Sequence, residues 1–158
     1  LAAASTLPEV TFLINGDGAA RSTLESVAIG FENVHFAGYI EAHRLGELLA
    51  TGDIHVVPLK AGLGRVSVPS KTYSILAAAR PVVAAIDEAT AVPRILEAAG
   101  AGISVPPDDA EAFVAALQVL LTDPERCAQM GANGRRWVET NASPAAVGLA
   151  YDRLLRQL

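Results

Sequence analysis

The fold is decided by residues 54–86, which read IHVVPLKAGLGRVSVPSKTYSILAAARPVVAAI. The segments 54–57 and 81–86 are short apolar runs rich in valine and isoleucine, and such runs are typical of buried strands. Residues 69–79, between them, have the character of a helix. A strand, a helix and a second strand in this order predict two neighbouring parallel strands joined by a crossover helix.

The same alternation continues on both sides of this unit. Further strands are predicted over 10–14, 34–37 and 102–105, and further helices over 19–28, 41–50, 92–99, 109–121, 124–140 and 144–158. Asp123 and Ser143 each stand before a proline, which is typical of a helix N-cap. The pattern therefore predicts an α/β fold, a Rossmann-like doubly wound parallel sheet with helices on both faces.

Length and composition limit the class of protein. A chain of 158 residues predicts a single domain over 1–158, and its net charge of −5 argues against a general nucleic-acid binder. The one cysteine cannot form an internal disulfide, so we expect a cytoplasmic location. The apolar stretch 75–79 is too short for a transmembrane segment. Because the chain opens at Leu1 without a methionine, we expect a fragment of a longer protein.

The loop after the third predicted strand carries the most unusual chemistry. In doubly wound sheets, ligands bind beyond the carboxyl ends of the strands. The glycines and cations of this loop are Lys60, Gly62, Gly64, Arg65 and Lys71. A cation in the first turn of a helix is disfavoured unless an anion joins it, and Lys71 is expected there. The loop therefore predicts a phosphate site; the alternative is a flexible surface loop with solvated cations.

Other candidate sites have weaker signals. The segment Asn15-Gly16-Asp17-Gly18 lacks the full glycine spacing of a dinucleotide fingerprint, so a tight turn is the alternative. Gly38 and its neighbours, at the end of the second strand, could support a base. With neither a His-x-x-x-His pair nor a Cys/His cluster in the sequence, we expect no metal and no cofactor.

Taken in order, five segments resemble the C-terminal domain of the GT-B glycosyltransferases, specifically their large group-1 (GT4-like) family. The segments are 10–18 (VTFLINGDG), 34–40 (VHFAGYI), 53–58 (DIHVVP), 69–84 (PSKTYSILAAARPVVA) and 100–109 (GAGISVPPDD). The sequence of 69–84 resembles the corresponding stretch in the branch of the family that makes surface polysaccharides. The resemblance covers essentially the whole chain.

The resemblance implies the donor-binding half of a retaining enzyme. Such an enzyme moves a sugar from a UDP- or GDP-sugar to a glycan or lipid-linked acceptor, which a separate N-terminal domain binds. It also implies that 38–40 read the base, that 62–71 meet the diphosphate and sugar, and that Ser74 meets the ribose; catalytic residues are not identified. The implied binding residues are Gly16, Gly38, Tyr39, Ile40, Lys60, Gly62, Gly64, Arg65, Ser70, Lys71 and Ser74.

The chain departs from the family pattern at two positions. Many relatives carry glutamates where this sequence has Val66 and Ser74. A neutral serine gives a weaker hydrogen bond than a carboxylate, so we expect low donor affinity or an altered donor pose. The resemblance also implies that the family's first strand and its Arg/Lys phosphate clamp lie upstream of Leu1, so we expect the fragment alone to be inactive.

Alternative functions remain open at this point. They are one half of a UDP-sugar 2-epimerase and a non-catalytic nucleotide-binding or interaction domain. For the full-length protein, peripheral association with the inner membrane face is an alternative to a free cytoplasmic location.

Overall fold

The computed structural model describes residues 1–157, and the chain forms two compact units that divide between Gly52 and Asp53. The prediction of one nucleotide-sugar-binding domain over 1–158 stays a prediction. Among the described residues, no helix is both long and apolar enough to cross a membrane.

The first unit is built on two parallel strands. Its elements are α1 (Ala2–Thr6), β1 (Phe12–Asn15), α2 (Arg21–Val27), β2 (Val34–Ala37), a 3-10 turn (Ala42–Arg44) and α3 (Leu45–Thr51). Strand β1 pairs with β2 so that Asn15 lies opposite Ala37. The core joins Ala4, Ala28 and Val34 to Phe12, Ile14, Phe31 and Phe36. Because the strands are parallel, the loops that follow β1 and β2 leave the same edge of the sheet.

The second unit is a parallel three-stranded sheet with helices on both sides. Its elements are β3 (His55–Pro58), a 3-10 turn (Leu63–Arg65), α4 (Lys71–Ala77), β4 (Val82–Ala85), α5 (Ala91–Ala99), β5 (Gly102–Val105), α6 (Ala110–Leu121), α7 (Pro124–Asn141) and α8 (Pro144–Leu155). The strands pair in the order β3-β4-β5, and Val83 of β4 lies opposite Val56 and Ile103.

Strand β4 is the centre of the core in the second unit. Val82, Val83 and Ala84 have no exposed surface, which explains why the strand is apolar at every position instead of alternating. The largest fully buried side chains around it are those of Leu76, Ile86, Leu96 and Leu120. The sheet edge from which the β3 and β4 loops leave is therefore held by a rigid, apolar centre.

Helix α7 packs closely on the end of α4. A β-carbon placed on Gly131 would overlap the carbonyl oxygen of Ala79, and one placed on Gly134 would lie 2.7 Å from Cδ2 of Leu76. The two glycines remove the bulk that would otherwise hold the helices apart. Ala79, which follows α4, has a positive φ of 56°.

The structure confirms the predicted fold class. Parallel strands alternate with helices, and the oxygen atoms of Asp123 and Ser143 accept hydrogen bonds from the amides of Arg126 (2.9 Å) and Ala146 (3.1 Å), as expected of N-caps. The hydrogen bonds divide the strands between two sheets. The helix predicted over 41–50 is a 3-10 turn followed by α3, and the helix predicted over 69–79 begins at Lys71.

Candidate functional site

The loop between β3 and α4 is folded. Gly62 has a φ of +84°, a left-handed conformation that glycine adopts without steric cost, and the 3-10 turn Leu63–Arg65 follows it. The amide of Leu63 donates to the carbonyl of Lys60 (3.1 Å), and the amide of Val66 donates to the carbonyl of Leu63 (3.1 Å). The loop therefore has internal hydrogen bonds, and both interpretations of it, a phosphate site and a flexible surface loop with solvated cations, stay predictions.

The turn is bound by a carboxylate from the next loop of the sheet. Asp87 stands two residues after β4, the neighbour of β3. Its Oδ1 accepts a hydrogen bond from the amide of Gly62 at 2.9 Å, and its Oδ2 accepts one from the amide of Gly64 at 2.9 Å. Both amides are thus occupied by an anion that belongs to the chain.

Gly64 is buried where the backbone of the loop comes closest to the Asp87 carboxylate. A β-carbon there would lie 2.9 Å from Oδ2 of Asp87 and 3.2 Å from Cγ2 of Thr90. Only glycine lets the backbone approach the carboxylate without displacing it. Gly64 is predicted from the sequence to let the backbone approach a ligand; in the structure the backbone approaches the Asp87 carboxylate.

Asp87 is held as a charged group. The hydrogen bonds from the amides of Gly62 and Gly64 lower the pKa of its carboxyl group below the ordinary value, and the nearby charge of Arg65 acts in the same direction, whereas burial opposes the shift. The carboxylate is therefore ionised at neutral pH. Asp87 is not among the residues predicted from the sequence, although an acidic residue directly after a predicted strand is a usable signal.

Asp87 is itself held by a short turn, residues 87–90, at the start of α5. The hydroxyl of Thr90, the N-cap of α5, is 2.7 Å from the Asp87 carbonyl oxygen and donates a hydrogen bond to it. Thr90 is only 7% exposed, and its own carbonyl accepts a hydrogen bond from Nε of Arg94 at 3.2 Å. Ala89, inside this turn, has a φ of +57°. The start of α5 therefore positions the Asp87 carboxylate, which positions residues 62–65 (the glycine turn).

The three predicted cations lie along this loop and at its end. Lys60, Arg65 and Lys71 are exposed, and none of them forms an ion pair within residues 1–157. Lys71 is the first residue of α4, as predicted, and the helix begins without a side-chain cap from Ser70. Three exposed positive charges without an ion pair there, although that of Arg65 also acts on the Asp87 carboxylate, favour binding of an anion.

Two further predicted positions flank the cations. Ser74 lies half-buried in the middle of α4, and Val66 is 81% exposed just after the glycine turn. Neither position carries a charge, so the region offers cations without the carboxylates that the resemblance would place there.

The remaining predicted residues belong to the first unit. A cleft of about 200 Å³ lies at the end of β1. It is lined by Ile14, Asn15, Gly16, Asp17, Gly18, Ala20, Arg21, Leu24 and Phe36. Strand β2 is followed by Gly38, Tyr39 and Ile40. Tyr39 is 81% exposed.

Two side chains hold the edge of the first sheet. Arg21 donates from Nη1 to the carbonyls of Gly16 (2.5 Å) and Ala37 (2.7 Å), and its guanidinium lies 5.7 Å from the centre of the Phe36 ring. Asn15 donates to the Gly38 carbonyl at 2.6 Å. These carbonyls already have partners, and the sequence argument did not single out either side chain.

Comparison with known proteins gives a family match over most of the chain. The model of a family described as "Glycosyl transferases group 1" matches residues 1–123. A putative colanic acid biosynthesis glycosyl transferase, WcaI of Escherichia coli (strain K12), is 32% identical over 117 residues, which are 72% of this chain and 29% of that protein.

A second curated relative matches nearly the whole chain. It is a GDP-mannose-dependent monoacylated alpha-(1-6)-phosphatidylinositol monomannoside mannosyltransferase of Corynebacterium glutamicum, 31% identical over 94% of this chain. The chain spans 39% of its length, and thus less than half of either curated relative.

A solved structure shares the fold. Anabaena HepE, crystallised in complex with UDP-glucose, aligns with a TM-score of 0.77 over 99% of this chain and 44% of its own, at 16% identity. This likeness supports the Rossmann-like architecture that the strand pattern predicts.

Proposed function

Because the chain belongs to the group 1 glycosyl transferases, we propose that it is the donor-binding part of a retaining enzyme and holds a nucleoside-diphosphate sugar. The observation that carries this proposal is that Lys60, Arg65 and Lys71, on the stretch that follows β3, are exposed and form no ion pair within residues 1–157. Ligands of doubly wound folds bind at this end of the strands.

The cations, more than the glycine amides, would meet the diphosphate. A diphosphate is the leaving group when a nucleotide sugar transfers its sugar, and positive charge placed beside it stabilises the transition state. The amides of Gly62 and Gly64 already donate to Asp87. We therefore assign the anion contacts to the three cations, with Ser70 and Ser74 as neutral hydrogen-bonding groups for the sugar and ribose.

The class of donor is a UDP- or GDP-sugar. HepE is described with UDP-glucose, and the Corynebacterium glutamicum relative is named for its dependence on GDP-mannose. The base contacts implied for Gly38, Tyr39 and Ile40, and the donor contact implied for Gly16, stay predictions of the sequence. Low affinity is expected because Val66 and Ser74 replace two carboxylates.

The acceptor is proposed to be a glycan or lipid-linked sugar of surface polysaccharide synthesis. The name of WcaI points to colanic acid, and the mannosyltransferase is named for a phosphatidylinositol acceptor. We assign the acceptor site to a part of the protein outside these 158 residues. The cytoplasm, or the inner membrane face through peripheral association, is the proposed location.

Calorimetric titration of the chain with UDP-glucose and GDP-mannose tests this function. Lys71→Ala is expected to weaken the binding of the preferred donor by about 1.5–3 kcal/mol, the usual contribution of a charged hydrogen bond, which is about 10- to 150-fold in Kd. Arg153→Ala removes an exposed cation of α8 and serves as the control with unchanged Kd. An unchanged Kd in Lys71→Ala would remove Lys71 from the site.

A further inference from the structure

We propose that Asp87 is a positioning residue, which holds the glycine turn of the β3–α4 loop and so keeps two of the donor-binding cations, Lys60 and Arg65, in place. The part of this proposal that concerns the donor rests on the proposed function. The part that concerns the turn rests on the contacts alone.

The contacts show that the turn depends on Asp87. Within residues 1–157, the other hydrogen bonds recorded for 60–67 are local, from Leu63 to Lys60 and from Val66 and Ser67 to Leu63. The bonds that tie this stretch to another element are those from Gly62 and Gly64 to the Asp87 carboxylate. The amide of Leu59, directly before this stretch, bonds to the Ala85 carbonyl of β4 at 2.9 Å. Without an acceptor at position 87, the turn would keep this bond at its start and its internal bonds, and it would lose its bonds to the loop that follows β4.

The geometry of the contact suits a permanent attachment. Each carboxylate oxygen takes one amide at 2.9 Å, and hydrogen bonds of this charge-assisted kind are stronger than neutral ones. Gly64 leaves no space for a β-carbon beside Oδ2, so the carboxylate and the turn fit closely. The bond from Thr90 to the Asp87 carbonyl joins the assembly to α5.

The position of the cations follows from the position of the turn. Lys60 precedes the glycine turn by two residues, and Arg65 ends the 3-10 turn. If the turn moves, both side chains lose a defined position, and a ligand must then order them when it binds. Ordering a loop on binding weakens affinity, so a preorganised turn favours the bound state.

A second role for the carboxylate gives the opposite result. If Asp87 merely occupied amides that the diphosphate needs, its removal would free them and remove a repulsive charge. Donor binding would then become tighter. The direction of the change in Kd therefore separates positioning from competition.

The test compares Asp87→Asn with Glu88→Gln in the 158-residue chain. Both variants lose one negative charge from neighbouring positions, but Glu88 is exposed and lies outside the contact. Amide hydrogen exchange of Gly62 and Gly64 is followed by NMR without ligand. We expect it to be at least about tenfold faster in Asp87→Asn and unchanged in Glu88→Gln, because exchange follows the opening of local hydrogen bonds.

The Kd for UDP-glucose and GDP-mannose is then measured well below the unfolding temperature of each variant. We expect Asp87→Asn to weaken binding of the preferred donor about five- to tenfold. UMP, which lacks the diphosphate, is the comparison ligand, and its Kd should change less. A residue that only stabilised the fold would lower the unfolding temperature and leave this Kd unchanged.

A second variant keeps the charge and breaks the fit. Gly64→Ala places a β-carbon 2.9 Å from Oδ2 of Asp87 and is expected to reproduce the faster exchange of Gly62 and the weaker binding. Unchanged amide exchange in both variants, or donor binding that is unchanged or tighter, would overturn the proposal. A wild-type chain that binds neither donor removes the proposed function and the donor part of this inference, while the exchange rates still decide whether Asp87 holds the turn.

Discussion

Gly131 of α7 lies so close to Ala79 that a β-carbon at position 131 would overlap the Ala79 carbonyl oxygen. Gly131→Ala is therefore expected to destabilise the second unit. The overlap is with backbone, which cannot rotate away, and overpacking of this kind costs about 1–3 kcal/mol, more than the gain of about 1 kcal/mol in helix propensity.

Urea denaturation checks this prediction, with Gly148→Ala as the control. Gly148 lies in α8, and a β-carbon there meets no neighbouring atom of residues 1–157 within 4 Å, so this variant should gain up to about 1 kcal/mol. If Gly131→Ala proves as stable as wild type, the close approach of α7 to α4 is not present in solution.

Ala79 itself provides a second prediction. Its φ of 56° lies in the left-handed region, where a β-carbon costs about 1–2 kcal/mol. Glycine removes that cost, and its greater freedom in the unfolded chain offsets about 0.4–1 kcal/mol. Ala79→Gly should therefore raise the free energy of unfolding by about 0.5–1 kcal/mol; a loss of stability in the same denaturation experiment would contradict the assigned conformation.

Arg21 should contribute more to the free energy of unfolding than Arg44, another arginine of the first unit. Its guanidinium holds the carbonyls of Gly16 and Ala37 and is 24% exposed, so Arg21→Ala should cost about 1.5–3 kcal/mol. Arg44 pairs with Glu47 at the surface and is 56% exposed, and Arg44→Ala should cost about 0–0.5 kcal/mol. Equal unfolding energies for the two variants would show that the Arg21 contacts contribute little.

The charge of Asp87 predicts a dependence of stability on pH. Because the folded-state pKa is lowered, the stabilisation is fully present above the ordinary value of 3.8 and is lost as the pH falls through the folded-state pKa. The difference in unfolding free energy between wild type and Asp87→Asn should thus be constant from pH 7 to 5 and shrink towards pH 3. Denaturation at each pH measures it, and a difference that grows on acidification would contradict the contact.

Much of the fold could be predicted because its signals are local. The apolar run at 102–105 and the cap-proline pairs at Asp123 and Ser143 determine their elements within a few residues, and the structure places a strand and two helix starts there. The family resemblance is also confirmed, because the model of the group 1 glycosyl transferases matches residues 1–123.

The candidate site was harder to predict because its contacts are distant in sequence. Asp87 meets Gly62 across 25 residues, and only the pairing of β3 with β4 brings them together. The loop pattern identified glycines that permit a close approach, but a pattern of glycines does not say what approaches. The assignment of Gly62, Gly64 and the cations to a donor therefore stays a prediction.

The carboxylate contact at Asp87 also has a consequence for how the sequence can change over evolution. An alanine at position 64 would press on an acid at position 87, and a residue without an acceptor at 87 would leave the amides of Gly62 and Gly64 without a partner. Substitution at one of the three positions therefore alters the selection on the other two. Among relatives that keep this loop length, the three positions should co-vary as a set.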